Sequence, residues 1–352
     1  MPALTQQAPN DLSLSDKVVF LSDSAAYAHP TSGVVSKQTH MSWVFVAADR
    51  VYKLKKPVRF PYLDYSTLAK RETNCRAELT LNRRLAPDVY SEVVSLTRST
   101  DGLAIGGLGE VVDWLVVMRR LDEDRTLEHA IATRTLAPWQ LDRMVATLVE
   151  FYRRAHAVLG SAKTHLAQWQ RSLDYNKRIL LDPRFALPAG LIRRVDAVQR
   201  RFLANRTRLI ADRVCSHHIV DGHGDLRPEH IFLGDPVIII DCLEFNASLR
   251  AVDPFDEIAF LCIECERLGA LWASRYIRRR AIQALRDHLS DELFTFYRCH
   301  RAALRARLSI AHLLETNPRT PDKWPKLASL YLNIAAGDAV RLERMLRTRA
   351  GR

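Results

Sequence analysis

Apolar and polar residues alternate over Val51-Tyr-Lys-Leu-Lys55, which puts Val51, Lys53 and Lys55 on one face of a strand and Tyr52 and Leu54 on the other. The β-rich run Trp43-Val-Phe-Val46 precedes it, with Ala48-Asp-Arg50 as the hairpin turn and Val34-Val35 opening an earlier strand. Pro57 ends the alternation, and the aromatic-rich residues 58–67 read as an ordered loop. Ser66 or Thr67 can cap a helix from about Leu68 to Leu85, and Pro87 stops it. Further strand is expected over Glu92–Thr97 and Val111–Met118, with a Gly-rich turn at Asp101–Gly109 between them. From about Thr126 the period becomes helical and stays so, except over Ile219–Phe245. The pattern predicts an α+β chain. Residues 1–16 form a loose N-terminus, 17–118 a small β-rich lobe with one prominent helix, and 119–352 a larger helical lobe. No internal repeat or low-complexity segment interrupts it.

The chain has 352 residues, and 47% of them are hydrophobic. That supports a sizeable core and argues against disorder as the main state. No apolar run reaches the roughly 18 residues a membrane-spanning helix needs, and Met1–Asn10 lacks the basic-then-apolar pattern of a signal peptide. A cytoplasmic protein with no membrane partner is expected. Six cysteines are scattered, and only Cys262 and Cys265 form a CxxC. This pair sits in an apolar, helix-like run without a second CxxC or paired histidines, so it reads as buried helix cysteines. The net charge of +12 favours anionic partners such as nucleotides or phosphorylated molecules. Its arginines are spaced through amphipathic helices as a solvated face, so nucleic acid is not expected as a partner.

The chemistry concentrates in Asp221-Gly-His-Gly-Asp-Leu-Arg-Pro-Glu-His230, followed by Val237-Ile-Ile-Ile-Asp241. Asp225 follows the apolar step Ile219-Val220 and precedes Leu226, an expected buried anchor. A carboxylate braced in this way can orient and deprotonate a hydroxyl. Asp241 ends a strand of β-branched residues, sixteen positions on. Alone it reads as a carboxylate capping a turn. With a second buried acid upstream it reads as a magnesium ligand, since that ion takes one or two carboxylates plus phosphate oxygens. Phosphoryl transfer needs such a pair, because its catalysis is mostly positioning and charge neutralisation.

The segment His223-Gly-Asp-Leu-Arg-Pro-Glu-His230 resembles the catalytic loop of aminoglycoside phosphotransferase-like kinases, and is similar to that of protein kinases. Asp241 falls where those families keep a metal-binding aspartate. Asp253-Pro-Phe-Asp-Glu-Ile-Ala259 resembles the segment that follows it there. Together with Val51–Pro57 and Leu81–Pro87, the pattern is similar to a bacterial branch of that superfamily, over roughly residues 35–300. Some members of that branch carry an added P-loop kinase domain, whose Gly-x-x-x-x-Gly-Lys-Ser/Thr motif does not occur in this sequence. The resemblance implies a two-lobed protein-kinase-like fold, ATP and Mg2+ (or Mn2+) as cofactors, and transfer of the γ-phosphoryl group to a hydroxyl of a small molecule.

It also implies a strand lysine that holds the nucleotide phosphates and a helix glutamate that fixes it. Lys53 matches best, with Lys55 on the same face as its rival. The glutamate is Glu78, with Glu72 the weaker candidate. No Gly-rich loop precedes the lysine, and Ser42, with nearby backbone amides, takes that place. Met118-Arg-Arg-Leu121 is placed by analogy at the hinge where adenine binds. Two positions depart from the pattern. Arg227, two residues after Asp225, can neutralise charge on the γ-phosphate or be an ordinary loop arginine. His230 stands where an asparagine usually holds metal, and imidazole is a softer ligand than magnesium prefers. It can bond Asp225, bind metal weakly, or leave one metal in place of two. A nucleotide-binding pseudokinase and an AMP-transferring enzyme on the same fold are the alternatives.

Overall fold

The computed structural model describes residues 12–315, 318 and 320–348. The chain forms two compact units. Residues 1–124 and 238–249 make the first, and residues 125–237 and 250–352 make the second. Part of the N-terminus expected to be loose lies outside the described residues, at 1–11. The remainder runs into a helix, α1 (Leu14–Ser22), whose start is fixed by a capping box between Ser13 and Asp16.

The first unit is built on a six-stranded antiparallel sheet in the order β1-β2-β3-β8-β6-β7. Its strands are β1 (Val34–Gln38), β2 (Ser42–Ala47), β3 (Arg50–Lys55), β6 (Tyr90–Ser99), β7 (Gly102–Ile105) and β8 (Glu110–Arg119). A small hairpin, β4 (Arg59–Phe60) and β5 (Leu63–Asp64), occupies the expected loop. The β2–β3 hairpin turns through Ala48, whose φ of 54° is the left-handed conformation such tight turns demand. It pairs Phe45 with Tyr52 and Val44 with Lys53. The alternation in β3 does what the sequence implies. Tyr52 and Leu54 join Leu21 of α1, Phe45, Leu115 and Val117 on one face of the sheet. On the other face, α2 (Leu68–Asn82) packs Cys75 and Leu79 against Val51, Val116 and Met118.

Two local expectations need correcting. The Gly-rich turn contains a strand, β7, because Leu103 and Ile105 pack onto the sheet core. The turn at its far end holds Gly109 at φ 131°, where a Cβ would come within 2.4 Å of the Arg98 carbonyl oxygen, so only glycine fits. And α2 stops at Asn82, short of Leu85.

The second unit is helical apart from short strands. In order come α3 (Leu127–Ala132), α4 (Pro138–Arg154), α5 (Ala162–Leu180), α6 (Ala189–Asn205) and α7 (Thr207–Cys215). The strands β9 (Val220–Asp221) and β10 (Ile231–Phe232) flank the loop that holds Asp225. After β11 (Ile238–Ile239), which belongs to the first unit, the chain passes α8 (Ala247–Arg250) and β12 (Ala251–Val252), which pairs with β9. The helices α9 (Pro254–Arg267), α10 (Leu271–Leu285), α11 (Asp291–Ala311) and α12 (Lys323–Thr348) complete it. α9 and α11 form the middle of this unit, and Cys262 and Cys265 are fully buried on α9, as read from the sequence. Among the described residues, no helix is long and apolar enough to cross a membrane.

Candidate active site

In the first unit, Lys53 and Lys55 lie two residues apart on β3 and both reach Glu78 of α2. Thr67 caps that helix by accepting from the Lys70 amide. Lys53 Nζ donates to Glu78 Oε1 (2.8 Å) and to Asp241 Oδ1 (3.0 Å). Lys55 Nζ donates to Glu78 Oε2 (2.6 Å), to Glu244 Oε1 (2.5 Å) and to the Tyr65 hydroxyl (3.3 Å). One buried carboxylate is therefore shared by two ammonium groups. Burial disfavours charge on Lys53, but Asp241, Glu78 and Glu244 outweigh it and hold its pKa well above the usual lysine value. Lys55 is raised in the same way against its own burial, chiefly by Glu244 and Glu78. Burial pushes the Glu78 carboxyl up, yet the two lysines win and bring it below the ordinary glutamate value.

Exposure separates the two lysines. The Lys53 side chain is 17% exposed and its partner Asp241 43%, whereas Lys55 is 1% exposed. Lys55 is sealed among Glu78, Glu244 and Tyr65, while the Lys53–Asp241 pair can be reached from solvent.

Asp241 is placed by the segment that follows β11. Ile238 and Ile240 pack against the cluster containing Cys75, Val89, Tyr90 and Val116. The Cys242 amide donates to Asn82 Oδ1 (2.8 Å), and the Asp241 amide donates to the Tyr90 hydroxyl (3.3 Å). Asp241 itself has φ 62°, a left-handed conformation that a non-glycine residue keeps only when its surroundings fix it. Asn82 also donates to the Glu78 carbonyl (2.9 Å), so the residue that ends α2 ties the helix to the Asp241 segment.

The other first-unit candidates sit differently. Ser42 is buried at the start of β2, and its amide donates to Thr39 Oγ1 (2.9 Å). Met118 is buried in β8, opposite Val51 and Tyr90. Glu72 takes part in a surface pair with Arg76 on the same helix (2.8 Å).

In the second unit, the loop after β9 is held by one buried carboxylate. Glu257 accepts from the amides of His223 (3.1 Å) and Gly224 and from the Tyr152 hydroxyl (2.9 Å). Gly222 allows this approach. A Cβ there would lie 2.6 Å from Val252 Cγ2 and 2.9 Å from Glu257 Oε2. Leu226 is fully buried and anchors the loop beside Asp225, as the sequence suggested.

Arg227 gathers the loop's polar groups. It donates through Nε to Asp225 Oδ2 (2.9 Å) and through Nη1 to Glu229 Oε1 (2.6 Å), and its Nη2 lies 3.1 Å from His230 Nε2. His230 Nδ1 lies 3.0 Å from the Asp225 carbonyl oxygen. A carbonyl only accepts, so Nδ1 carries the hydrogen and Nε2 faces the guanidinium as an acceptor. Both ring nitrogens of His230 thus have partners within the loop.

The segment Asp253–Glu257 divides its three acids among three tasks. Asp253 caps α9 by accepting from the Phe255 amide (2.9 Å) and pairs with Arg213. Asp256 forms a two-pronged pair with Arg301 (2.8 and 2.6 Å), and burial still pushes its carboxyl up. Glu257 braces the loop. Sequence reasoning missed this bracing role, along with Glu244, Asn82 and Tyr90. Acids crowded at the start of an apolar helix were the available signal for Glu257. Nothing local marked the other three, whose partners are remote in sequence.

Solved structures share this architecture. A choline/ethanolamine kinase family protein from Mesorhizobium loti aligns over 91% of this chain and 94% of its own, with a TM-score of 0.51 and 15% identity. A choline kinase from Cryptosporidium parvum aligns over 95% and 97%, with a TM-score of 0.52 and 8% identity. The chain therefore has the two-lobed, protein-kinase-like α+β fold of these structures. By sequence it is 31% identical over 306 residues to proteins of Mycobacterium bovis and Mycobacterium tuberculosis described as uncharacterized. That match covers 84% of this chain, which spans about three-fifths (59%) of the length of these curated relatives. No family model matches the chain.

Proposed function

We propose that this chain is an ATP-dependent phosphotransferase that moves the γ-phosphoryl group to a hydroxyl of a small molecule. The observation that carries the reading is the placement of Lys53 Nζ against both Glu78 and Asp241, on a kinase-like fold. Phosphoryl transfer needs an oriented cation for the nucleotide phosphates and an accessible carboxylate for the metal. Lys53 holds the phosphates and Glu78 fixes its position. Lys55, sealed from solvent, serves as internal counter-charge and not as the nucleotide lysine.

Asp241 offers a hard, half-exposed carboxylate, which fits magnesium and also manganese. Magnesium, when bound, neutralises charge on the nucleotide phosphates. His230 fits a metal less well, because its Nε2 faces Arg227 and its Nδ1 the Asp225 carbonyl. Its role in this reading is to brace the loop. Asp225 orients the acceptor hydroxyl and takes its proton. Arg227 fixes the Asp225 carboxylate and offers a charge that can neutralise the γ-phosphate. Ser42 contributes its hydroxyl at the phosphates, since its amide is already engaged by Thr39. The Met118 segment borders the adenine. The acceptor is a small molecule, and the protein acts in the cytoplasm.

A second reading rests on the ion pair between Arg227 and Asp225. A carboxylate held this way can belong to a chain that binds nucleotide without transferring phosphate. ADP release over a panel of small hydroxyl compounds, with magnesium and with manganese, separates the two. Acceptor-dependent release supports the transferase. Saturable ATP binding with no release over the whole panel supports the binding protein.

A further inference from the structure

One cavity lies wholly within the second unit, with no residue of the Asp225 loop in its lining. It has a volume of about 220 Å³, enclosed by α10, α11, α12 and the end of α9. Four arginines line it, and three carboxylates oppose them. Arg275 and Arg278 stand one turn apart on α10, Arg298 comes from α11, and Arg341 from α12.

The charges are unevenly engaged. Arg298 is buried and already committed. Its Nε lies 3.1 Å from Asp338 Oδ2, and its Nη2 lies 2.6 Å from Glu266 Oε2. These three groups form a rigid floor. Arg341 reaches that floor through one nitrogen, Nη1, 3.2 Å from Asp338 Oδ1. Arg278 lies over the Phe294 ring, 4.6 Å from its centroid, and donates through Nη2 to Asp291. Its Nε is buried and has no hydrogen-bond partner among the described residues. Arg275 is exposed, and no ion pair to it is found among the described residues. Buried donors are normally paired, and one that is not calls for an explanation.

Planar guanidinium forks match the oxygens of phosphate and carboxylate groups. Three of them around one opening, above a floor whose own charges are satisfied, suit a compact oxyanion better than a cation or a neutral sugar. Leu271, Phe294 and Met345 supply an apolar wall for the rest of such a molecule. Glu264, two residues from Glu266, takes no part in the lining. It bonds Arg267 and Tyr331 instead, so this cavity has its own set of charges.

We infer that the cavity between α10, α11 and α12 is a binding site for a small phosphate monoester, with Arg275, Arg278 and Arg341 as the anion ligands. The site is independent of the catalytic reading above.

Isothermal titration calorimetry of the full chain tests it, with inorganic phosphate, glycerol 3-phosphate and acetate as probes. The comparison set is the unsubstituted protein, Arg275→Ala, Arg341→Ala and Lys53→Met. Arg275 is exposed and has no ion pair among the described residues, so its variant should fold normally, which the thermal midpoint checks. The expected result is saturable binding of glycerol 3-phosphate, weakened at least tenfold by Arg275→Ala and by Arg341→Ala and unchanged by Lys53→Met. Preferential binding of acetate would overturn the phosphate assignment. Binding lost in Lys53→Met but kept in both arginine variants would place the anion in the first unit and overturn the proposal. So would no saturable binding of either phosphate probe.

Discussion

Lys53 Nζ stands 3.0 Å from Asp241 Oδ1 and 2.8 Å from Glu78 Oε1, so a β-strand cation joins a helix carboxylate to a carboxylate in the segment after β11. If Lys53 carries the nucleotide phosphates, Lys53→Met removes a charge-assisted contact worth about 1.5–3 kcal/mol. Affinity for ATP should then fall roughly ten- to a hundred-fold. A fluorescent ATP analogue displaced by ATP measures this directly. Affinity within twofold of the unsubstituted protein would show that the phosphates rest elsewhere.

Lys55 should behave in the opposite way. It is sealed with Glu78 and Glu244, and removing one partner of a buried ion pair costs about 3–5 kcal/mol. Lys55→Met should lower unfolding stability by that order in a denaturant titration, and Lys53→Met by distinctly less, because Asp241 is half exposed. Equal losses from the two substitutions would erase the distinction drawn between them.

The same cluster sets a pH profile. Glu78 is held below its ordinary value of 4.5 in the folded chain. Its contribution to stability is therefore complete above about pH 4.5 and is lost as pH falls through the lower folded value. The lysines are held above their ordinary value of 10.5. Their contribution is complete below that pH and is lost as pH rises through the higher folded value. Denaturant midpoints measured across pH should show both limbs, and Glu78→Gln should flatten the acid one. An acid limb unaltered in Glu78→Gln would assign it to other carboxylates.

Gly222 and Glu257 brace the loop of Asp225 from behind. Gly222→Ala places a methyl 2.6 Å from Val252 Cγ2 and 2.9 Å from Glu257 Oε2. Overpacking of this kind costs about 1–3 kcal/mol, and the loop should shift with it. The expected outcome is a lower thermal midpoint together with a lower kcat. A variant with normal kcat would show that the loop tolerates the displacement.

His230 is the position where bracing and metal binding can be told apart. His230→Gln removes the bond from Nδ1 to the Asp225 carbonyl. It should lower kcat while leaving the magnesium concentration for half-maximal turnover within about twofold. Loss of support to a metal typically costs 10–100-fold in affinity, so a shift of that size would make His230 a ligand.

The sequence foretold much of this chain, for identifiable reasons. The two-residue period of Val51–Lys55 gave both the strand and its buried face, since alternation reports directly on burial. The loop holding Asp225 and its buried anchor Leu226 were legible because small and polar residues are spaced there as a loop requires, whereas Asp241 lies beyond β11 and does not end it. α1 was missed because its capping box lies in a polar stretch that composition alone marks as loose. β7 was missed because glycines around it dominated the local signal. The other partners of Lys55, Glu244 and Tyr65, approach through the fold and leave no mark in local spacing. The separation of the two lysines by exposure could be seen only in three dimensions.

The most direct test of the phosphotransferase reading is ATP turnover by Asp225→Ala and Asp241→Ala beside the unsubstituted chain, with magnesium and the acceptor that gives the greatest ADP release. Loss of a positioned general base typically costs 10²–10⁴-fold. Asp225→Ala should therefore lose turnover on that order while still binding ATP, and Asp241→Ala should lose both turnover and its response to magnesium. Unchanged turnover in both variants would contradict the account.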